Sequence, residues 1–198
     1  MLKRLFDIAF SASVLLFGFL PLLVLALLVR VRLGSPVFFA QERPGKDGRV
    51  FKMFKFRTMT DARDGTGALL PDKDRITPLG HFLRRTSLDE FPEFWNVFKG
   101  QMSVVGPRPL LIRYLERYTP EQARRHAVKP GVTGWAQVNG RNAISWEDKF
   151  RHDVWYVDHR SLGVDIKIIL LTILKVVRRE GISASSDTTM PEFMGSEK

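Results

Sequence analysis

The sequence predicts an α+β fold: an N-terminal membrane helix over residues 1–33, then, over 34–198, one compact domain with a small β-hairpin, several helices and amphipathic helices at a membrane interface. Three features predict it. Ile8 to Val29 is a run of 22 residues without a charge. Two short strand-like stretches flank a turn at Pro44-Gly45-Lys46-Asp47-Gly48. The rest carries helix caps and apolar residues at helical spacing. At 198 residues the chain is long enough for a real core and short for two domains, so one functional site is expected.

The uncharged run is long enough to cross a hydrocarbon layer about 30 Å thick. It continues through Leu27, Leu28 and Val29 into Arg30 and Arg32, unlike a cleavable signal peptide, which ends in small residues. Lys3 and Arg4 precede it and two arginines follow, so by the preference of positive charge for the cytoplasm both ends belong inside. Pro21 removes a backbone donor and crowds the carbonyl of Phe17, which predicts a kink at the proline. A straight anchor with a tolerated proline and a bent helix that re-emerges where it entered both fit these residues.

Val37 to Phe39 and Val50 to Met59 read as the strands of a hairpin. Alternation puts Lys55 and Arg57 on one face of the second, where two cations can grip phosphate; a solvated edge strand fits the spacing equally. Residues 60–76 read as a loop. Thr77-Pro78 then supplies an N-cap and first helical position for a helix to about Arg85. Ser145-Trp146-Glu147-Asp148 fits a capping box and opens a helix through about Val157. Asp165 to Arg179 is apolar with basic ends, the composition of a core helix or of one lying on a membrane surface.

Lysine and arginine number 31 against 21 acidic residues, a formal charge of +10, which favours anionic partners: phosphates, lipid headgroups or nucleic acid. The absence of cysteine excludes disulfides and thiolate metal sites. Aromatic residues at 91, 94, 95 and 98 mark one helix face closed by Gly100, and Pro92 is harmless only in a first turn, so this helix is expected to begin near Asp89. That places Asp89 and Glu90 at a helix N-terminus, where acidic residues commonly serve only to offset the dipole. With magnesium, which binds one or two carboxylates plus phosphate oxygens, the same pair can also form a phosphoryl-transfer site: one carboxylate attacks phosphorus, and its neighbour orients metal or handles a proton.

From Gln41-Glu42-Arg43-Pro44-Gly45 onward the chain resembles the bacterial sugar transferase family of monotopic phosphoglycosyl transferases, in its small PglC-like form. The matching stretches are Phe51-Lys52-Met53-Phe54-Lys55-Phe56-Arg57-Thr58-Met59, Ser87-Leu88-Asp89-Glu90, Met102-Ser103-Val104-Val105-Gly106-Pro107-Arg108-Pro109, and residues 129–142 from Lys129-Pro130-Gly131 to Asn139-Gly140-Arg141-Asn142. Several ordered motifs are far more specific than any one alone.

The resemblance implies transfer of a sugar-1-phosphate from a UDP-sugar to undecaprenyl phosphate, with release of UMP, dependence on Mg2+ and a covalent enzyme intermediate. By position Asp89 is the nucleophile and a metal ligand, and Glu90 is its partner. Lys55, Arg84, Arg108 and Arg141 fall on the phosphate-handling positions, each of which, taken alone, would read as a surface cation. Glu93 stands where PglC-like relatives carry glutamine and is left out of the chemistry. The membrane part is implied to be a re-entrant helix broken at Pro21, with Lys3 and Arg4 at the headgroup level. The chain departs from the pattern at Leu20, where relatives place serine, and Ser11 and Ser13 are too far back to supply that hydroxyl.

Leu69-Leu70-Pro71-Asp72 and Thr188-Thr189 suggest an N-acetylated amino sugar such as diacetylated bacillosamine. The implied setting is the cytoplasmic face of a bacterial inner membrane, amid phospholipid and ahead of downstream glycosyltransferases, as the first membrane step toward a glycoprotein, capsule or O-antigen. Two other classes carry distinct expectations. A basic membrane-associated nucleic-acid binder would lose affinity steeply with salt and ignore nucleotide sugars, and no nucleic-acid signature is present. A silent scaffold of the same fold would lack turnover, against which the intact Asp89-Glu90 pair argues.

Overall fold

The computed structural model describes residues 1–140, 144–178 and 191–195. The uncharged run forms two helices, α1 (Leu2–Phe17) and α2 (Phe19–Leu33), bent by 63° at Gly18. The kink expected at Pro21 therefore lies three residues earlier. Pro21 falls in the first turn of α2, where its missing N–H has no partner to lose, and the carbonyl it would crowd is that of Phe17, at the break itself. Gly18 makes the close turn feasible: a Cβ there would lie 2.4 Å from the Val14 carbonyl oxygen.

Both ends of the helix pair are fastened to the domain. Lys3 donates to Asp165 at 2.6 Å, and Arg4 donates to the carbonyls of Val97 and Phe98, both at 2.7 Å. Asp7, buried, accepts from the Ser103 hydroxyl and the Val104 N–H. At the other end Val29 packs with Phe56 and Leu83, and Arg57 donates to the Ser35 carbonyl at 2.8 Å. Leu16, Phe17, Phe19, Leu20, Leu23 and Val24 around the bend are exposed. Among the described residues no single helix is long and apolar enough to cross a membrane.

β1 (Phe38–Pro44) and β2 (Val50–Phe56) form the antiparallel hairpin, with Ala40 opposite Phe54. A short helix, α3 (Asp72–Arg75), interrupts the loop that follows, and α4 (Pro78–Thr86) begins as expected with the Thr77 hydroxyl accepting from the Gly80 N–H. Next come α5 (Glu93–Lys99), closed by Gly100 in the left-handed region, and β3 (Ser103–Val105). After a one-turn α6 (Pro120–Ala123), β4 (Gly131–Thr133) pairs with β3 in parallel. This second sheet has strands of three residues, too short for periodicity to reveal, and it joins two of the motif stretches.

A short α7 (Trp135–Val138) leads to α8 (Trp146–His159), which opens at the expected Ser145 cap. α9 (Leu162–Arg178) starts three residues before the expected Asp165. Its Ile166, Leu170, Ile173, Leu174 and Val177 form an exposed apolar stripe, while Asp165 and Ile168 point inward. The main core gathers Phe51 and Met53 of β2, Val97 of α5, Val104 and Val105 of β3, Tyr156 and Ile168, with Phe6 and Phe10 of α1 packed against it.

Candidate active site

Asp89 and Glu90 do not lie in the first turn of α5. They occupy a 3-10 turn, Leu88–Glu90, and α5 begins only at Glu93 with Pro92 as its N-cap. The proline is compatible with either arrangement. What decides is Ser87, which ends α4 at φ 56°, in the left-handed region, and reverses the chain so that Asp89 turns inward. A helix dipole is therefore not what governs these carboxylates; their neighbours are.

Glu90 Oε1 accepts from Lys55 Nζ at 2.7 Å and from Arg108 at 2.5 Å. Burial alone would raise its pKa, but the two cations hold it well below the usual carboxylate range. Asp89 is only 8 % exposed, and its pKa is raised, first by burial and then by the charge of Glu90, against the pull of Lys55, Arg108 and Arg84. Arg84 also donates from Nε to the Thr58 hydroxyl at 3.1 Å. Asp89, Glu90, Lys55, Arg84 and Arg108 all line one groove of about 1960 Å³. It runs from the hairpin, at Phe38 and Phe39, to the C-terminal half of α9, at Ile173 and Val177.

The structure thus brings together the expected Asp89, Glu90, Lys55, Arg84 and Arg108. Arg141 lies outside the described residues, as do Thr188 and Thr189. Arg57, expected beside Lys55, follows the end of β2 and is bound instead to the Met59 and Ser35 carbonyls and to Asp61. Lys3 and Arg4, expected at the headgroup level, turn onto the protein as described above. Leu69 and Asp72, from the stretch associated with the donor sugar, line the groove.

Sequence reasoning passed over three residues. Glu93 is 1 % exposed and lies 3.2 Å from Lys55 Nζ, close enough for an ion pair but not aligned for a hydrogen bond, so its Oε1 is buried without a hydrogen-bond partner. The signal available was its difference from glutamine. Lys149 of α8 lines the groove, with its pKa lowered to about 8 by burial and its ammonium 4.6 Å from the centre of the Trp146 ring. Gln137 also lines it, with Nε2 donating to the Val132 carbonyl and Oε1 buried without a partner. Behind the groove, Arg125 pairs with buried Asp153 at 2.7 Å and donates to the Arg108 carbonyl at 2.7 Å, which fixes the backbone that carries the Arg108 guanidinium.

Among the described residues no three histidine, aspartate or glutamate side chains form a metal cage. Magnesium requires less: one or two carboxylates, with water and substrate phosphate completing its shell. Asp89 fits that mode because its carboxylate lines the groove, whereas Glu90 Oε1 is held by two cations.

A family model described as bacterial sugar transferase matches residues 1–179. The chain is 54 % identical over 195 residues to an uncharacterized sugar transferase, EpsL, of Bacillus subtilis (strain 168), covering 98 % of this chain and 96 % of that protein. It is 42 % identical over 197 residues to a UDP-galactose-lipid carrier transferase of Erwinia amylovora, covering 91 % of this chain and 41 % of the relative. It is 41 % identical over 186 residues to a UDP-glucose:undecaprenyl-phosphate glucose-1-phosphate transferase of Escherichia coli (strain K12), covering 88 % of this chain and 40 % of the relative. The chain thus spans nearly all of the first relative and about two fifths of the other two.

Proposed function

The chain belongs to the bacterial sugar transferase family, and we propose that it transfers a sugar-1-phosphate from a UDP-sugar to undecaprenyl phosphate with release of UMP. One observation carries this reading: a carboxylate lining a large groove, Asp89, stands among Lys55, Arg84 and Arg108, while its neighbour Glu90 is already held by two of those cations.

In this reading a carboxylate oxygen of Asp89 attacks the phosphorus that bears the sugar. The bridging P–O bond breaks, and UMP leaves with the bridging oxygen and its electron pair. An oxygen of undecaprenyl phosphate then attacks the same phosphorus, the bond to Asp89 breaks, and the carboxylate is restored. Attack by a carboxylate needs no proton removed. Its raised pKa makes Asp89 a better nucleophile than an exposed aspartate once ionised. Glu90 keeps Lys55 and Arg108 together, and these with Arg84 meet the oxygens of the transferring phosphate. A magnesium ion held by Asp89 and the donor's phosphate oxygens would supply further charge neutralisation there.

For the apolar segment we propose a re-entrant hairpin on the cytoplasmic face of the membrane. It is supported by the fastening of both ends of the α1–α2 pair to one domain, by the exposed apolar bend between them, and by the exposed stripe on α9. The donor is a UDP-hexose. Leu69 and Asp72 at the groove support a part for that stretch in sugar choice, and so keep the diacetylated amino sugar in the reading beside the glucose and galactose named in relatives.

The test is UMP release by protein in nanodiscs with magnesium, from UDP-glucose, UDP-galactose and UDP-linked N-acetylated amino sugars, with and without undecaprenyl phosphate. Lipid-dependent turnover with one donor establishes the reaction and the sugar. A stoichiometric burst without lipid supports the covalent step, and release only when lipid is present overturns it. No release with any donor moves the reading to a silent scaffold.

A further inference from the structure

Lys55 has three N–H donors. One goes to Glu90 Oε1, at 2.7 Å. Beneath it lies a second carboxylate, Glu93, whose Oε1 is 3.2 Å away, buried and without a hydrogen bond. Four charged groups bear on Glu93 or are borne on by it: Arg43 from β1, Lys55 from β2, Glu90 from the 3-10 turn and Arg108 from the stretch after β3. If both glutamates are ionised, they offset two of the three cations Arg43, Lys55 and Arg108, and Lys55 faces two carboxylates rather than the incoming anion. If Glu93 carries a proton, the summed charge of Arg43, Lys55, Arg108, Glu90 and Glu93 rises from one positive unit to two, and Lys55 turns its remaining donors to the groove.

We propose that Glu93 is a positioning residue for the donor's diphosphate: in its protonated form it releases Lys55 to the anion, in its ionised form it holds Lys55 back, and donor binding therefore takes up a proton at Glu93. Glu93 does not line the groove and touches no reacting atom; it acts through Lys55. Burial, and then the charge of Glu90, push its carboxyl up to about 7, so both forms are present near neutral pH. An anion bound above Lys55 adds negative charge nearby and withdraws the lysine, and both effects raise the carboxyl further. This inference rests on the proposed use of a UDP-sugar. The diphosphate diester of such a donor does not itself titrate near neutrality, so any pH dependence of its binding belongs to the protein.

The experiment compares the parent with Glu93→Gln, an uncharged near-isostere, in nanodiscs from pH 6 to 9 at saturating undecaprenyl phosphate. For the parent, KM for the UDP-sugar should rise roughly ten-fold between pH 6.5 and 8.5, the consequence of ionising one group coupled to binding. For Glu93→Gln, KM should stay at the parent's low-pH value up to about pH 7.5, any later rise belonging to Lys149 in the groove, while the pH profile of kcat is unchanged. A residue that only supports the fold would move kcat and KM together at every pH. A second measurement keeps Glu93 in place: calorimetric titration of the UDP-sugar into Asp89→Asn at pH 7.5, in two buffers of different ionisation enthalpy, should show proton uptake. A parent that turns over its donor with a level KM and no proton uptake overturns the role of Glu93 and leaves the function standing. A parent that turns over no UDP-sugar overturns the function, and this inference with it.

Discussion

The bend of the α1–α2 pair and the carboxylates at the groove each sit in the opposite of their preferred surroundings. Around Gly18, large apolar side chains such as Leu16, Phe17, Phe19 and Leu20 stand exposed. Asp89 at the groove and Glu93 behind it are nearly free of solvent contact. In the first region the missing partner is an apolar surface, which the described residues do not supply. In the second, the chain itself supplies partners for Glu90, through Lys55 and Arg108, and leaves Asp89 and Glu93 with raised pKa values. In the proposed function, exposed apolar atoms around the bend are what would meet lipid, and incompletely neutralised buried carboxylates are what would meet phosphate.

The sharpest way to break the second half of this contrast is Asp89→Asn. Loss of the nucleophile should reduce transfer by about a thousand-fold or more. The thermal midpoint should hold or rise, because an amide escapes both the burial penalty and the repulsion from Glu90 that raise the Asp89 pKa. UMP release and a melting curve check the two parts. A rate within ten-fold of the parent overturns the nucleophile assignment.

Glu90 and Glu93 sharpen the contrast further, because they share Lys55 and shift in opposite directions. The folded-state pKa of Glu90 is depressed, so its stabilising contribution is present above the ordinary value of 4.5 and is lost as pH falls below it. Glu90→Gln leaves Lys55 and Arg108 without the negative charge they share and should cost about 3 kcal/mol at pH 7, with the cost shrinking at acid pH. The Glu93 pKa is raised to about 7, so its contribution is fully present below 4.5 and is lost as pH rises through 7. Glu93→Gln should therefore stabilise the protein at pH 8, by about 3 kcal/mol at most, and leave it unchanged at pH 4. Chemical unfolding at the three pH values tests both. Equal effects of either variant across pH would show that packing, not charge, dominates at that residue.

These two regions were also legible to different degrees in the sequence. The apolar run was plain, and its closing cations were too, but the missing donor of Pro21 drew the expected kink to the proline, because a proline is visible and a close approach to the Val14 carbonyl is not. The hairpin and the Thr77 and Ser145 caps could be read because each is local. The parallel β3–β4 pair could not, since three-residue strands carry no period and their pairing spans long separations in sequence. At the site, helix position brought out Asp89 and Glu90, strand alternation brought out Lys55, and the family resemblance added Arg84 and Arg108. Glu93 was noticed but left out, and Lys149 stayed hidden, because the surroundings of both depend on burial against other elements.

The chain lacks cysteine, so single cysteines can report the topology of the bend cleanly. Leu2→Cys and Ser35→Cys, at the two ends of the helix pair, should both react with a membrane-impermeant maleimide from the cytoplasmic side only. Labelling of the two from opposite sides would replace the re-entrant pair with a spanning helix. Gly18→Val should weaken the bend, because its Cβ would sit 2.4 Å from the Val14 oxygen and force the turn to open, at a cost of about 2 kcal/mol. If Gly18→Val leaves stability and labelling as in the parent, the bend does not depend on glycine.

The smallest expected effect lies at Ser87, the residue that turns the chain into the Leu88–Glu90 segment. It holds φ 56° without being glycine, a conformation that costs an ordinary residue roughly 1 kcal/mol. Ser87→Gly removes that strain and should change stability by less than about 1 kcal/mol, since relief in the folded state is offset by the greater freedom of glycine when unfolded. Its value lies in separating position from stability. Asp89 owes its inward placement to the turn, so a looser hinge should lower kcat measurably, by about two- to five-fold, while the melting midpoint barely moves. Unchanged kcat would mean that the cations around Asp89, rather than the backbone before it, hold the carboxylate in place.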